Sequence, residues 1–508
     1  MFGKLLESSI GLSMRYYSNQ AYETAAGIFL QVERFGFGYT REFVQDPKAM
    51  LQKLISKARS SEEGYSVISL GYLGGNYAVI TPRSQSQLIE LINQFDKEQS
   101  SRKGHASFKF FSGNDFFIIS DIGHDAMLSR KNLSRFLTPS RLAYPTITEI
   151  EKTVVVDTDI PTRHIVCAIV RAVMVENMLG IKQLPDNTYD VMESYRNDVK
   201  RWGAFPFPEL LNFMPSLRKK RDAYRAFSRS ILEQEFEKVV EVLHQNDHPG
   251  NANLLAASIV SLFKEENPTL TGEELSSALK SLSTEEIRRY FENPMVQSLP
   301  MILKAADNLT DAIVLCLEQI AADPKKFEIL RDEIERAHFA LSEELDIRTL
   351  KSLPVLDAFY KESVRFDAPV AVPRYTQNGY SSDSMTIPPN TMIIFDLHAL
   401  AKGEQYWTNP NEFDPTRFLQ AEQQHVDEEK SIGIKNNHHT IGQFPFVPFS
   451  VGMRNCPAFA VTEVLFKVAI AKFVASYELQ FVEKDSDDSI LHITSSDKSL
   501  KPTNSVSM

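Results

Sequence analysis

The sequence predicts a mainly α-helical chain carrying small β-sheets, an α+β architecture in one large domain. Three observations lead there. From about 165 to 350, apolar residues recur at three- and four-residue steps, the period of helices packed on a core. Short apolar runs with β character sit on the flanks, at 65–80 and 385–396. The 508 residues are 43% hydrophobic and 24% charged, an ordinary globular mix in a chain able to bury roughly three-quarters of its unfolded surface.

Taken in order, residues 1–50 are expected to form an N-terminal extension and 51–508 a single domain. In the extension, Glu7 and Arg15 interrupt the apolar run after Lys4, which argues against a secretory leader. Residues 18–36 have the pattern of an amphipathic helix that lies on the body or touches a membrane surface. The stretch YSVISLGYLGGNYAVI (65–80) is two apolar runs divided by Gly74-Gly75, a β-hairpin pattern, and SQSQLIELINQF follows with helical spacing.

In the helical middle, Ile302, Ala306, Leu309, Ile313, Cys316 and Ile320 form one apolar stripe. Lys304, Asp307 and Asp311 fall on the opposite side, as a solvated face would. Pro294 and Pro300 are expected to delay or kink the start of that helix. Asp323-Pro324 ends it, with an N-cap and a proline at the first position of the next helix. Residues 385–396, MTIPPNTMIIFD, read as two short strands around a Pro-Pro-Asn turn. Residues 420–443 are polar and aperiodic and read as a surface loop, with His438 and His439 a solvated pair rather than metal ligands. The Ser- and Asp-rich tail from Lys484 is expected to be mobile towards its end.

Fifty-five Lys and Arg stand against 66 Asp and Glu, a net charge of −11, so the chain lacks the basic footprint of a nucleic-acid binder. Cys167, Cys316 and Cys456 are too few for a disulfide scaffold and lack the paired spacing of a zinc site. A reducing compartment is expected. No run of 18 apolar residues occurs, so membrane contact is expected to be at most peripheral.

The chemistry-bearing signal is Phe449-Ser450-Val451-Gly452-Met453-Arg454-Asn455-Cys456-Pro457-Ala458. It places a lone cysteine on a turn just before an apolar helix. A cysteine at a helix N-terminus beside a cation is biased towards thiolate, and a thiolate is a strong axial ligand. Arg454 is suited to pair with a carboxylate of a bound group. The pattern Phe-x-x-Gly-x-Arg-x-Cys resembles the haem-binding signature of the cytochrome P450 family, matched at Phe449, Gly452, Arg454 and Cys456. Ala458 departs from it, because the family carries glycine there and a positive φ would strain alanine.

Two further motifs agree with that resemblance. Glu362 and Arg365 are three apart on a helical segment and share a face; they resemble the family's Glu-x-x-Arg. The segment WTNPNEFDPTRF (407–418) resembles the region ending in Pro-x-Arg-Phe. Arg417 lies fifty-two residues after Arg365, and Cys456 thirty-nine after Arg417, in the family's order. The resemblance implies a buried structural network of Glu362, Arg365 and Arg417, costly to break because the charge left behind is unpaired.

The resemblance also implies the cytochrome P450 fold and a heme b cofactor with Cys456 as axial ligand. Phe449 and Arg454 belong to the cofactor loop. Arg454, and Arg374 in Val372-Pro373-Arg374, sit where the family contacts the haem propionates. Arg130 and Arg135 are alternatives for a further propionate contact, since the family's Trp-x-x-x-Arg is absent. The family's Ala-Gly-x-Asp/Glu-Thr falls on residues 304–308, with Asp307 as the acid and Asn308 replacing the alcohol. In the family that pair delivers protons while dioxygen is cleaved, and the thiolate pushes electron density to favour the same step. Asparagine still hydrogen-bonds water, but the replacement is also similar to members that rearrange peroxides without a proton relay. Leu303, Ala306 and Val370-Ala371-Val372 are the implied substrate neighbours.

The function implied is a monooxygenase that inserts one oxygen atom into a C–H or C=C bond of a lipophilic small molecule. The resemblance to fungal members points to secondary metabolism. Electrons would come from NADPH through a reductase. Two other readings stand beside it: a reductase-independent isomerase or dehydratase on the same fold, and a non-catalytic haem- or ligand-binding relative. The location stays open between the cytoplasm and the cytoplasmic face of the endoplasmic reticulum.

Overall fold

The computed structural model describes residues 46–495, apart from 70–75, 99–109, 112–123, 155, 157, 203–204, 206–210, 298, 300–301, 338–346, 368–370, 420–439, 442–443, 453 and 486–487. The expected extension, its amphipathic stretch at 18–36, and His438 and His439 therefore lie outside the described residues.

The elements run in chain order as α1 (Pro47–Ser60), β1 (Tyr65–Ser69), β2 (Asn76–Ile80), α2 (Gln85–Glu98), α3 (His124–Phe136), α4 (Pro139–Thr153), β3 (Thr158–Pro161), α5 (Thr162–Leu179), α6 (Thr188–Trp202) and α7 (Pro215–Glu233). There follow α8 (Phe236–Gln245), α9 (Leu254–Glu266), α10 (Gly272–Lys280), α11 (Thr284–Phe291), α12 (Pro294–Gln297), α13 (Ile302–Ala322), α14 (Pro324–Arg336), α15 (Ile347–Lys351) and α16 (Pro354–Phe366). The C-terminal part holds β4 (Ala371–Thr376), β5 (Tyr380–Ser382), β6 (Met385–Ile387), β7 (Thr391–Asp396), α17 (His398–Ala401), β8 (Thr440–Ile441), β9 (Phe444–Pro445), α18 (Phe459–Ser476), β10 (Tyr477–Asp485) and β11 (Asp488–Ser495).

Local chemistry sets many of these boundaries. Asp46 caps α1 by accepting from the Ala49 amide at 3.0 Å, with Pro47 at the first helical position. Ser283 and Glu286 close a reciprocal capping box on α11. Gly180 ends α5 at φ +79°, the left-handed conformation that glycine adopts freely. The Lys325 amide donates to Asp323 at 3.1 Å, so α13 stops and α14 starts at the expected cap and proline. The start of α13 is late, at Ile302, beyond both prolines.

The β1–β2 hairpin forms in antiparallel register. It joins a four-stranded sheet of order β1-β2-β7-β4, in which only the β2–β7 pair is parallel. The strands around the Pro-Pro-Asn turn part company: β6 pairs with β5, while β7 enters the large sheet. Asn390 makes that exit at φ +53°, a conformation asparagine tolerates. Arg59 clamps α1 to the sheet through both oxygens of the buried Asp396, at 2.7 and 2.9 Å.

The first part of the Ser- and Asp-rich tail is strand through Ser495, because Leu491 and Ile493 are buried on one face of β11, which pairs with β10 and β3; the expected mobile end lies outside the described residues. One expectation needs correction. The polar loop expected over 420–443 gives way at its end to a short hairpin of β8 and β9.

The main core contains α13, α5 and α18. Helix α18 is buried almost all round: Val464, Phe466, Val468, Ile470, Ala471 and Val474 are inaccessible, as expected of a helix with no polar face. Its two lysines reach partners at the rim, Lys467 pairing with Asp357 and Glu463 and Lys472 with Glu151. A second cluster packs α2 against the large sheet through Leu88, Ile92, Phe95, Ile393 and Phe395. This cluster brings α2 to the cysteine loop, through Val447 and Val451.

Candidate functional site

The loop before α18 turns back on itself. The Cys456 amide donates to the Phe449 carbonyl at 2.9 Å, and the Asn455 amide to that of Gly452 at 3.2 Å. Ser450 and Gly452 take positive φ, +60° and +81°. A Cβ at Gly452 would stand 2.6 Å from Asp96 Oδ2 and 2.9 Å from Ile92 Cγ2, so α2 leaves no room for a side chain there. Ala458 adopts φ −96°. The missing family glycine therefore causes no backbone strain.

Cys456 Sγ accepts a hydrogen bond from the Ala458 amide at 3.4 Å. Burial pushes the thiol up, while that amide and the Arg130 guanidinium pull it back down. The expected bias towards thiolate is thus corrected: desolvation is the larger effect in the protein alone. Arg130, on α3, donates to the Asn455 carbonyl at 2.9 Å and to Asn455 Oδ1 at 2.6 Å. Arg135 is exposed on the last turn of the same helix. Of these two arginines, the fold brings Arg130 to the cysteine loop. Phe449 is half-buried and packs on the main core.

Arg374, on β4, is 6% exposed, and burial lowers its basicity against the opposing pull of Asp96. Its Nε donates to Asp96 Oδ1 at 2.8 Å and its Nη1 to the Pro373 carbonyl at 2.9 Å. Its Nη2 is buried without a hydrogen-bond partner. Arg454 Nε approaches the same Asp96 oxygen at 3.8 Å, and its side chain is only 4% exposed. Two arginines eighty residues apart in sequence (374 and 454) thus meet on one carboxylate.

On α13, Asp307 is fully buried and pairs with Arg171 of α5 at 2.8 Å. Asp311 pairs with Arg163 of α5 and with Arg196 of α6, the latter at 3.1 Å. The solvated face expected for Asp307 and Asp311 is therefore a packed one, with its charges neutralised by neighbouring helices. Asn308, next in sequence, is exposed. Leu303 borders a small apolar cavity with Met192, Tyr195 and Tyr224 of α6 and α7. Ala306 is buried, and Val370 is outside the described residues.

Behind the loop, Arg365 donates twice to Glu362, at 2.7 and 2.8 Å. Arg417 reaches the same carboxylate at 3.3 Å, as does the Asp414 amide at 2.7 Å. The remaining Arg365 donors go to the carbonyls of Ala401, Pro410 and Glu412. Glu362 and Arg365 are both buried, so the three-residue network expected from the motifs is present with its polar groups satisfied.

Sequence reasoning missed Asp96, Arg171 and Asn455. Asp96 had a readable signal, since it continues the stripe Leu88–Ile92 at the next four-residue step, an acid on an apolar helix face. Arg171 had none, because only packing brings α5 to α13.

A cytochrome P450 family profile matches residues 146–506, well over half of the chain, and the protein belongs to the cytochrome P450 family. It is similar to "Rhazimal synthase" of Alstonia scholaris, at 28% identity over 33% of this chain and 32% of that protein. It is similar also to "(S)-1-hydroxy-N-methylcanadine 13-hydroxylase CYP82X2" of Papaver somniferum, at 26% identity over 45% of this chain and 43% of that one. A third relative is "Cytochrome P450 monooxygenase bfoB" of Aspergillus brasiliensis, at 28% identity over 32% and 30% of the two chains. These matches span less than half the length of each relative. Among solved structures, a zebra fish cytochrome P450 with abiraterone superposes with TM-score 0.61, at 14% identity over 88% of this chain and 99% of that one. The cytochrome P450 CYP102L1 superposes with TM-score 0.60, at 15% identity over 88% and 94%. These likenesses establish the fold. Among the described residues, no helix is long and apolar enough to cross a membrane.

The family implies a haem cofactor, and the residues present fit one. A cysteine sulfur receives a backbone amide, and a buried arginine keeps an open donor for an anionic group. A glycine lies where a side chain would strike α2.

Proposed function

We propose that the protein is a haem-thiolate monooxygenase that oxygenates a lipophilic small molecule, using electrons from NADPH delivered by a reductase. The observation that carries this reading is the Cys456 loop, whose sulfur accepts the Ala458 amide at 3.4 Å beside Arg130. Haem, when bound, supplies the iron at which dioxygen is activated.

The chain's own residues have separable tasks. Cys456 Sγ would ligate the haem iron, and the Ala458 N–H would stabilise its anionic form. Arg130 holds the loop through Asn455 and adds positive charge near the sulfur. Arg374 and Arg454 would hold the propionates, with Arg374 Nη2 as an available donor. Asp307, neutralised by Arg171 at 2.8 Å, anchors α13, and Asn308 positions water for proton delivery. The names of the plant and fungal relatives, a hydroxylase and a monooxygenase among them, support oxygenation in secondary metabolism.

Asn308 in place of an alcohol favours a second reading, a reductase-independent isomerase or dehydratase of an oxygenated substrate. A non-catalytic relative has less support, since Ala458 sits at an ordinary φ of −96°. The test is the absorption spectrum of the reduced, carbon-monoxide-bound protein. A red-shifted Soret band of thiolate type, lost in Cys456→Ala, is expected. A band typical of histidine ligation, or one unchanged in Cys456→Ala, overturns the assignment.

A further inference from the structure

We propose that Asp96 is a positioning residue for the haem, acting through Arg374 and Arg454. The inference rests on the reading that those arginines hold the propionates. Asp96 lies on α2, far in sequence from both, and its side chain is 2% exposed. Its Oδ1 receives Arg374 Nε at 2.8 Å and has Arg454 Nε at 3.8 Å. Its Oδ2 is buried with no hydrogen-bond partner and lies against the Gly452 backbone.

One carboxylate thus serves two buried guanidiniums. The acceptors on Arg374 are distributed so that its orientation is fixed. Asp96 takes the Nε edge and the Pro373 carbonyl takes Nη1, while Nη2 stays open. A carboxylate arriving at Nη2 would satisfy that buried donor. Asp96 therefore sets the direction of the open donor that meets the ligand. It also explains Gly452, because any side chain there would meet Asp96 Oδ2 at 2.6 Å.

The experiment measures transfer of haem from the loaded protein to excess apomyoglobin, for wild type, Asp96→Ala, Arg374→Gln and the double variant. Asp96→Ala and Arg374→Gln are each expected to speed haem loss by about tenfold while the thiolate-type carbon-monoxide band persists. Because Asp96 acts through Arg374, Asp96→Ala is expected to add less than about threefold in the Arg374→Gln background. Full additivity would make Asp96 a general structural residue and overturn the proposal, as would a wild-type rate for Asp96→Ala. A wild-type rate for Arg374→Gln would instead remove the underlying propionate reading, and the proposal with it. Should Asp96→Ala not fold, Asp96→Asn keeps the shape and an acceptor for Nε but weakens the ion pair that fixes the Arg374 guanidinium. It is expected to speed haem loss at least about threefold, and a wild-type rate again overturns the proposal.

Discussion

Three cysteines occur in the chain, and their surroundings separate them. Burial pushes the Cys167 thiol up to about 11 and that of Cys316 up to about 12, which leaves both protonated and inert. Burial raises Cys456 as well, but an amide and Arg130 oppose it, the surroundings that the proposed ligand role calls for. Asn308 presents a different residue-scale question. It is exposed beside a fully buried, ion-paired Asp307, and an amide keeps its donor and acceptor on separate atoms, whereas a hydroxyl carries both on one oxygen that rotates to suit. Asn308→Thr is expected to raise product formed per NADPH by about two- to tenfold if proton delivery limits turnover. The ratio of product to NADPH consumed measures this, and an unchanged ratio leaves Asn308 with no special role.

At the scale of elements, α13 shows how a periodicity argument fails. Its apolar stripe was legible, but the polar side was read as solvated. That side packs on α5 and α6, which supply Arg171, Arg163 and Arg196 to Asp307 and Asp311. A charge on a helix face means solvent only where no partner covers it, and the partner here comes from more than a hundred residues away (Arg171 to Asp307). The α16 network was legible because the motif spacing named all three members. Glu362 receives Arg365, Arg417 and the Asp414 amide, so removing its charge leaves two buried guanidiniums without their anion. Glu362→Gln is expected to cost about 3–5 kcal/mol of stability, read from a denaturant unfolding midpoint. Lys351→Gln, exposed on α15, is the control and is expected to stay within about 0.5 kcal/mol. Equal midpoints for the two variants would show that the network is not a stabilising centre.

At the scale of the whole molecule, the site draws on distant parts of the chain. Helix α2 supplies Asp96, α3 supplies Arg130, β4 supplies Arg374, and the loop before α18 supplies Arg454 and Cys456. A ligand bound across such elements stabilises the native state by mass action, by about 2.7 kcal/mol at a hundredfold excess over its dissociation constant. The haem-loaded protein is expected to unfold at a temperature higher by several degrees than the haem-free form, in parallel scans followed by circular dichroism. Coincident transitions would mean that the cofactor does not bridge these elements.

The sequence by itself determined the helical class, the flanking strands, the cap between α13 and α14, and the cysteine loop with its Glu-x-x-Arg partner. Each is a local pattern or a fixed spacing, set by backbone geometry and by side chains close in sequence. It also held the alternation of Leu491 and Ile493, hidden beneath a Ser-rich composition. Only the tertiary structure decided that Asp96 joins Arg374 to Arg454, that Arg130 rather than Arg135 reaches the loop, and that the acids of α13 are paired. Those outcomes depend on which buried charges meet across elements far apart in the chain. Desolvation makes such meetings energetically decisive, yet they leave no periodicity in the sequence.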